Sequence, residues 1–506
     1  MFKKVLIANR GEIAVRVIRA CRDLGIKSVA IYSEADRNSL HVQLADFAYC
    51  AGPAPSSESY LNQRRILDLA IASGAEAIHP GYGFLSENSK FAKECEKSGI
   101  VFIGPRSDAL QLMGDKLTSR KTMMDNGVPV VPGTDKAITS LDDAKKFAAQ
   151  YGYPILVKAS AGGGGKGMRL VESEKSLASA IEGARRESEK AFGNSDVYLE
   201  KYLEEPHHIE FQIFGDSHGN IVHLYERECS MQRRHQKVLE ESPSPIMTGE
   251  LRKKMGDVAV RAAKAVNYTN AGTIEFLVDK QRNFYFLEMN TRLQVEHPIT
   301  ELVTDIDIVK LQLAVAHGEA IPFSQSAIKQ LGHAIECRIY AEDPENDFLP
   351  CPGLIKEFSL PSGPGIRNDE AAYSGYEVPI HYDPMIAKLS CWGESRMAAI
   401  GTMQRALNEY TILGIKSSLP FHRALVRHPK FLKGDYTTNF LNEALPELSS
   451  EFQAEIKDRD FEEALLVAAG IEAFRKEAIG RERPQGRVSA RRVWIQTGRQ
   501  ESLRRL

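Results

Sequence analysis

The chain has 506 residues, 65 Lys and Arg against 67 Asp and Glu, and a net charge of −2. That length exceeds a single hydrophobic core and predicts about two to four domains. With 43% hydrophobic and 26% charged residues it reads as a soluble globular protein. Near-neutral charge gives no footing to nucleic acid as the main partner. No apolar run reaches the roughly 18 residues of a membrane span. The first apolar run is too short for a signal peptide. Seven cysteines, Cys21, Cys50, Cys95, Cys229, Cys337, Cys351 and Cys391, are scattered without a C-x-x-C. They predict a reducing, cytoplasmic setting, with neither a disulfide framework nor a structural zinc.

Residues 5–8 are a short apolar strand, and 9–12 (Asn-Arg-Gly-Glu) a turn. Ile13, Val17, Ile18, Cys21 and Leu24 recur at helical spacing, and Gly25 closes that helix. A strand over 28–32 completes a β-α-β opening and predicts a parallel sheet. The turn carries one glycine and not G-x-G-x-x-G, which argues against a dinucleotide. Residues 77–88 form a Pro- and Gly-punctuated loop at a strand end, the edge where α/β sheets place ligands. Tyr82 and Glu87 are pocket candidates there, although such loops are also often only structural.

Residues 128–133 look like a boundary or hinge. A strand over 153–160 follows, with Lys158 near its end, and then glycines 162–165, Lys166 and Gly167. This is not a Walker A loop, but backbone N–H groups of such a stretch approach phosphates closely. Strands are expected at 197–203 and 207–212. Arg233, Arg234, His235 and Lys237 cluster between strands, either as an anion site or as a solvated basic loop.

Residues 288–298 organise the rest. Glu288, Asn290, Arg292, Gln294 and Glu296 alternate with Met289, Thr291, Leu293 and Val295. As an extended strand this places acid, amide, cation, amide and acid on one face. If residues 273–278 fold back on 284–288 about Gln281 and Arg282, Glu275 opposes Glu288. Facing carboxylates repel, and a hard cation such as Mg²⁺ relieves that conflict. The alternative is a polar face relaxed into water. Arg292 and Glu296 suit binding a small anion and moving its proton, or else are an ordinary surface ion pair.

Several stretches, in this order and at these intervals, resemble the biotin carboxylases of the ATP-grasp superfamily. They are residues 7–14 (Ile-Ala-Asn-Arg-Gly-Glu-Ile-Ala), 79–88 (His-Pro-Gly-Tyr-Gly-Phe-Leu-Ser-Glu-Asn), 113–116 (Met-Gly-Asp-Lys), 158–160 (Lys-Ala-Ser) with the glycine stretch, 230–237 (Ser-Met-Gln-Arg-Arg-His-Gln-Lys) and 288–298 (Glu-Met-Asn-Thr-Arg-Leu-Gln-Val-Glu-His-Pro). Residues 381–389 look like the family's C-terminal signature. The resemblance runs from residue 1 to about 445. It implies a mixed α/β and α+β fold: an N-terminal doubly wound parallel sheet (1–114), a central ATP-grasp domain (115–330) with a mobile glycine-rich lid at about 132–203, and a strand-rich C-terminal domain (331–445).

The resemblance also implies roles. Lys116, Lys158, Gly163, Gly164, Gly165, Lys166 and Gly167 would hold ATP phosphates. Glu200, Lys201 and Leu203 would contact adenine, with His208, Gln232 and His235 lining the nucleotide site. Glu275, Glu288 and Asn290 would hold Mg²⁺ or Mn²⁺. Arg292, Gln294 and Val295 would place bicarbonate and the biotin ring, and Glu296 would take the bicarbonate proton. Lys237 would stabilise carboxyphosphate and Arg338 the biotin enolate, with Tyr82 and Glu87 on the biotin side. The implied cofactors are ATP and Mg²⁺, with biotin as a carrier-bound substrate.

The chain has no Met-Lys-Met triplet and no room for a carboxyltransferase domain. The expected partners are therefore a carboxyltransferase subunit and a separate biotin carboxyl carrier protein. A homodimer is expected, with Arg19 and Arg367 near its surface. Acetyl-CoA or another acyl-CoA is the first-choice acceptor and pyruvate the alternative. Another ATP-grasp ligase is disfavoured by residues 79–88 and 230–237, and a non-catalytic scaffold by the intact Lys116, Lys237, Glu275, Glu288, Arg292, Glu296 and Arg338. Beyond residue 445, Phe461, Leu465, Ala468 and Ile471 suggest an amphipathic helix. Residues 481–506 hold eight arginines against two glutamates, either a partner-docking end or a solvated tail.

Overall fold

Alternation along the first strand, Lys4–Ile7, separates two cores. Val5 and Ile7 pack with Ile13, Val17 and Ile18 of helix Gly11–Asp23. Leu6 packs on the opposite face with Ile66 and Leu69 of helix Gln63–Ser73 and Phe91 of helix Ser89–Lys97. Five parallel strands surround it in the order Phe47–Gly52, Lys27–Ser33, Lys4–Ile7, Ala77–His79, Val101–Phe102. Helices on both faces make this sheet doubly wound, as expected. The computed structural model describes residues 1–160 and 168–481, apart from the side chains of 192, 458–463 and 476–481.

An eight-stranded antiparallel sheet follows. Its order is Phe284–Asn290, Asn270–Val278, His207–Gly215, Ile221–Arg233, Gln236–Ser242, His333–Tyr340, Met385–Gly393, Ile366–Glu370. It runs without a break from central to C-terminal strands. Strand His207–Gly215 shows how sequence alternation is used. Ile209, Phe211 and Ile213 pack on Met255, Val258 and Ala259 of helix Gly249–Ala265. His208, Glu210 and Gln212 take the other face and are buried as well. A polar face buried on a strand must find partners, and those partners form the site described below.

Two expectations change here. The basic cluster at 233–237 is a hairpin and not a loop. Strands Ile221–Arg233 and Gln236–Ser242 are joined by Arg234 and His235 alone, both at positive φ (51° and 65°). That geometry matches the twist of a two-residue hairpin. The strand through 288–298 also ends early, at Asn290. Thr291 to Val295 form a loop, and Glu296 takes the N-cap position of helix His297–Thr304 without a side-chain cap bond. Pro298 at the helix start and the turn before it end the extended run.

A separate three-stranded sheet, Arg169–Val171, Ile155–Ala159, Val197–Lys201, packs Ile155, Val157 and Leu199 against Phe147 of helix Leu141–Tyr151 and Leu177 and Ile181 of helix Glu174–Phe192. The expected flap residues Gly163, Gly164, Gly165, Lys166 and Gly167 lie outside the described residues. The chain divides into units 1–449 and 450–506. The expected helix is present within Phe440–Arg481, but Leu465 and Ile471 are exposed and so form no buried face. The Phe461 side chain lies outside the described ones, as does most of the arginine-rich end. No described helix is long and apolar enough to cross a membrane. All seven cysteines are free thiols.

Candidate active site

Strands Asn270–Val278 and Phe284–Asn290 pair with Glu275 opposite Glu288. The turn does not centre where expected. Val278 pairs with Phe284 and Phe276 with Phe286, a register centred on Gln281. A bulge between Glu275 and Phe276 then adds one residue, Leu287, and brings the two glutamates face to face. Both side chains border a cavity of about 680 Å³. That is the size range of a nucleotide-scale ligand pocket.

Most of the sequence-derived residues meet in this cavity. Glu87, Lys116, Lys158, Glu200, His208, Gln232, His235, Lys237, Glu275, Glu288, Asn290, Arg292, Gln294, Val295, Glu296 and Arg338 all line it. Three do not. Lys201 donates to the carbonyls of Gly152 and Tyr153 at 3.3 Å. Leu203 lies just past the end of strand Val197–Lys201 and is not in the lining. Tyr82 packs against the core beside helix Gly11–Asp23, its hydroxyl buried without a hydrogen-bond partner.

Lys237 is the hub of one end. Its amine donates to Glu210 (2.6 Å), Glu296 (2.7 Å) and Glu275 (3.0 Å). Arg338 bridges Glu240 and Glu296, with 2.9 Å to Glu296 Oε2. Arg227, fully buried, bonds Glu210 at 2.5 Å and Gln212 and Thr300 at 2.8 Å. Burial opposes charge on Glu296, but Lys237, Arg338 and Arg227 outweigh it and hold the carboxyl well below the usual range. Glu210 goes the other way. Burial, reinforced by Glu296 and Glu275, pushes it up to about 7 despite Arg227 and Lys237. The cluster thus holds a firmly ionised carboxylate at Glu296.

Next to it the loop presents donors. Arg292 bonds Glu87 Oε2 (3.1 Å), Gln294 Oε1 (2.8 Å) and Asn290 Oδ1 (3.3 Å). Gln294 is 3% exposed, and its Nε2 donor is buried without a partner. A buried, unused N–H beside a guanidinium is suited to a small anion.

The other end holds Lys116, Lys158, Glu200 and Glu288. Lys158 bonds Glu200 at 2.8 Å, and Arg120 reaches the same carboxylate at 3.4 Å. Burial, then Glu275, raises Glu288 against the pull of Lys116 and Lys158. Burial lowers Lys116. Glu275 accepts from Asn290 (2.7 Å), and His208 Nε2 lies 2.9 Å from its other oxygen as an ion-pair contact. Glu275, Glu288 and Asn290 offer hard oxygen donors, and the raised Glu288 is a carboxylate that a cation would suit. The set therefore fits Mg²⁺, which takes one or two carboxylates plus phosphate oxygens. Two tighter clusters, His208–Glu210–Glu275 and Glu210–Cys229–Glu296, share Glu210, which Arg227 and Lys237 already pair, and do not fit a metal.

Sequence reasoning missed Glu210, Arg227 and Glu240. Glu210 was legible, because it alternates with His208 on one strand face. Arg227 and Glu240 carry no local signal, since their partners lie far away in sequence.

The match with known proteins agrees with this geometry. Residues 1–110 match the family described as Biotin carboxylase, N-terminal domain. Residues 115–323 match Carbamoyl-phosphate synthase L chain, ATP binding domain, and 336–443 match Biotin carboxylase C-terminal domain. The chain is 54% identical over 458 residues to a pyruvate carboxylase subunit from Methanothermobacter thermautotrophicus, covering 90% of this chain and 93% of that one. It is 52% identical over 442 residues to biotin carboxylase 1 of Bacillus subtilis, covering 87% and 98%. Among solved structures, the biotin carboxylase domain dimer of Hydrogenobacter thermophilus 2-oxoglutarate carboxylase, in complex with MgADP, ADP and bicarbonate, superposes with a TM-score of 0.86 at 50% identity, covering 89% and 99%.

Fold and cavity together define an ATP-dependent ligase of the ATP-grasp type. Its cofactors are ATP and Mg²⁺, with biotin as the group acted on. The chain belongs to the biotin carboxylase family.

Proposed function

We propose that this enzyme carboxylates biotin on a separate carrier protein, using ATP and bicarbonate through a carboxyphosphate intermediate. The observation that carries the reading is the juxtaposition of Glu296, ionised in a three-cation cage, with Arg292 and the unused Gln294 donor. In this reading Arg292, Gln294 and Val295 seat bicarbonate and the biotin ring. Glu296 removes the bicarbonate proton. Lys237 and Arg338 then stabilise the anions that form. Lys116, Lys158, Glu200, His208, Gln232 and His235 would hold ATP, and Glu275, Glu288 and Asn290 would hold Mg²⁺, which would offset charge on the phosphates. Charge on the transferring phosphoryl group is offset by these cations.

Residues 1–114, 115–330 and 331–445 act as the three functional domains, with the lid at about 132–203. The chain works as a cytoplasmic homodimer beside a carboxyltransferase subunit and a carrier. Its acceptor is acetyl-CoA or another acyl-CoA. Pyruvate is the second reading, favoured by the 458-residue similarity to a pyruvate carboxylase subunit.

The test is ATP hydrolysis by the purified chain with Mg²⁺, with and without bicarbonate and free biotin, trapping carboxybiotin. Turnover that needs bicarbonate and rises with biotin is expected. A folded, ATP-binding sample with no bicarbonate-dependent turnover overturns the reading. Adding acetyl-CoA or pyruvate to the reconstituted complex separates the acceptors.

A further inference from the structure

The geometry points to Lys388 as a positioning residue for the loop that carries Arg292, Gln294 and Glu296. The inference rests on the proposed role of that loop in seating bicarbonate. Lys388 lies on strand Met385–Gly393 and is fully buried. Its ammonium donates to the Val295 carbonyl at 2.6 Å. That carbonyl belongs to the peptide that leads directly into Glu296. The same ammonium pairs with Glu12 at 3.3 Å and with Asp369 at 3.8 Å.

Three distant stretches therefore meet under one side of the cavity. Glu12 comes from the first turn of helix Gly11–Asp23, where Gly11 at φ +69° turns the chain into the helix. Asp369 sits directly across the sheet from Lys388. Val295 comes from the loop after strand Phe284–Asn290. Two motifs that the chemistry leaves unused, Asn-Arg-Gly-Glu at 9–12 and the stretch at 381–389, meet at this junction.

A buried ammonium is stable only with partners. Both Glu12 oxygens lack a hydrogen bond, and burial pushes that carboxyl up to about 7, with Lys388 at 3.3 Å the main cation opposing the shift. The ammonium is thus held in place by Glu12 and Asp369, and its short bond fixes the Val295 peptide. A second tether acts nearby. The His297 ring pairs with the Gln294 carbonyl at 2.9 Å. On the cavity side, Thr291 N donates to Glu87 at 3.1 Å. The loop is clamped from both sides, and Lys388 is the tether nearest Glu296. Precise loop placement matters because small displacements of reacting groups lower rates steeply.

The test is the double variant Lys388→Met/Glu12→Gln, which removes the cation together with the carboxylate it neutralises. Bicarbonate-dependent turnover is expected to fall about 10- to 100-fold, with the KM for bicarbonate raised about tenfold. MgADP affinity, read by calorimetry, should stay within about twofold of the wild type, because the nucleotide end does not touch this junction. If the double variant fails to fold, Glu12→Gln alone keeps the amine but removes one of the two carboxylates that hold it, and a rise in bicarbonate KM at unchanged MgADP affinity is expected. Unchanged bicarbonate and biotin constants in a folded variant overturn the inference. So does a loss spread equally over nucleotide and bicarbonate, which marks a merely structural junction. Failure of the functional reading is seen separately, as a wild-type chain with no bicarbonate-dependent turnover.

Discussion

The two ends of the cavity are finished differently. Around Glu296 every carboxylate already holds a cation: Lys237 reaches three of them, Arg338 two and Arg227 one. Around Glu288 the charges are left short. Among the described residues, neither Glu288 nor Lys116 forms an ion pair, and burial shifts each toward its neutral form. A buried charge without a partner is costly. The contrast separates an end assembled by the protein alone from an end suited to the charges of a metal–nucleotide complex.

The largest effect should come from the assembled end. Glu296→Gln is expected to lower bicarbonate-dependent turnover about 10²- to 10⁴-fold, with MgADP binding retained in calorimetry. A variant keeping more than about a tenth of wild-type turnover would break the assignment of the base.

A buried carboxylate outside the cavity gives a reference for how much such pairing stabilises. Glu241 is bonded by His333 at 2.6 Å, by Arg396 at 2.7 Å and by Tyr436. Burial would raise it, but His333 and Arg396 bring it from 4.5 down to about 2. Its folded value lies below its unfolded one, so its stabilisation is full above about pH 4.5 and lost as pH falls toward 2. The size is on the order of 3 kcal/mol. Urea unfolding of Glu241→Gln should show that deficit at pH 6 and a closing gap in acid. A constant gap down to pH 2 would show that packing, and not charge pairing, stabilises the site.

The smallest effect should have the opposite sign. Glu288→Gln removes a carboxylate whose ionised form burial disfavours. The ligand-free protein should gain about 0.5–1 kcal/mol in thermal unfolding. Stabilisation by MgADP should shrink in the same experiment, by about tenfold in affinity. A loss of ligand-free stability would erase the contrast between the two ends.

Much of the site was legible because it is local. Glu288, Asn290, Arg292, Gln294 and Glu296 sit within nine residues, and their alternation with Met289, Leu293 and Val295 announced a polar face on an apolar support. The hairpin pairing of Glu275 with Glu288 was legible too, although it arises through a bulge at Leu287 that no pattern in the strands announces. The extended run beyond Asn290 was not. Residues 292 and 296 reach the cavity from a loop and a helix cap, because Pro298 begins a helix where alternation alone continues a strand. Glu240 and Arg227 were invisible for a related reason: each is defined by a partner tens of residues away.

By itself the sequence determined many of the elements, the parallel opening sheet and the chemistry of the central stretch, because alternation, glycines and prolines act over a few residues. Only the tertiary structure decided which carboxylate stays ionised. Glu210, Glu240, Glu275 and Glu296 are the same side chain. Their proton affinities diverge because burial and neighbouring carboxylates outweigh the cations at Glu210 and Glu240, whereas Lys237 with His208 prevails at Glu275 and Lys237 with Arg338 and Arg227 at Glu296. That distribution depends on long-range packing of strands whose order in the sheet is not their order in the chain.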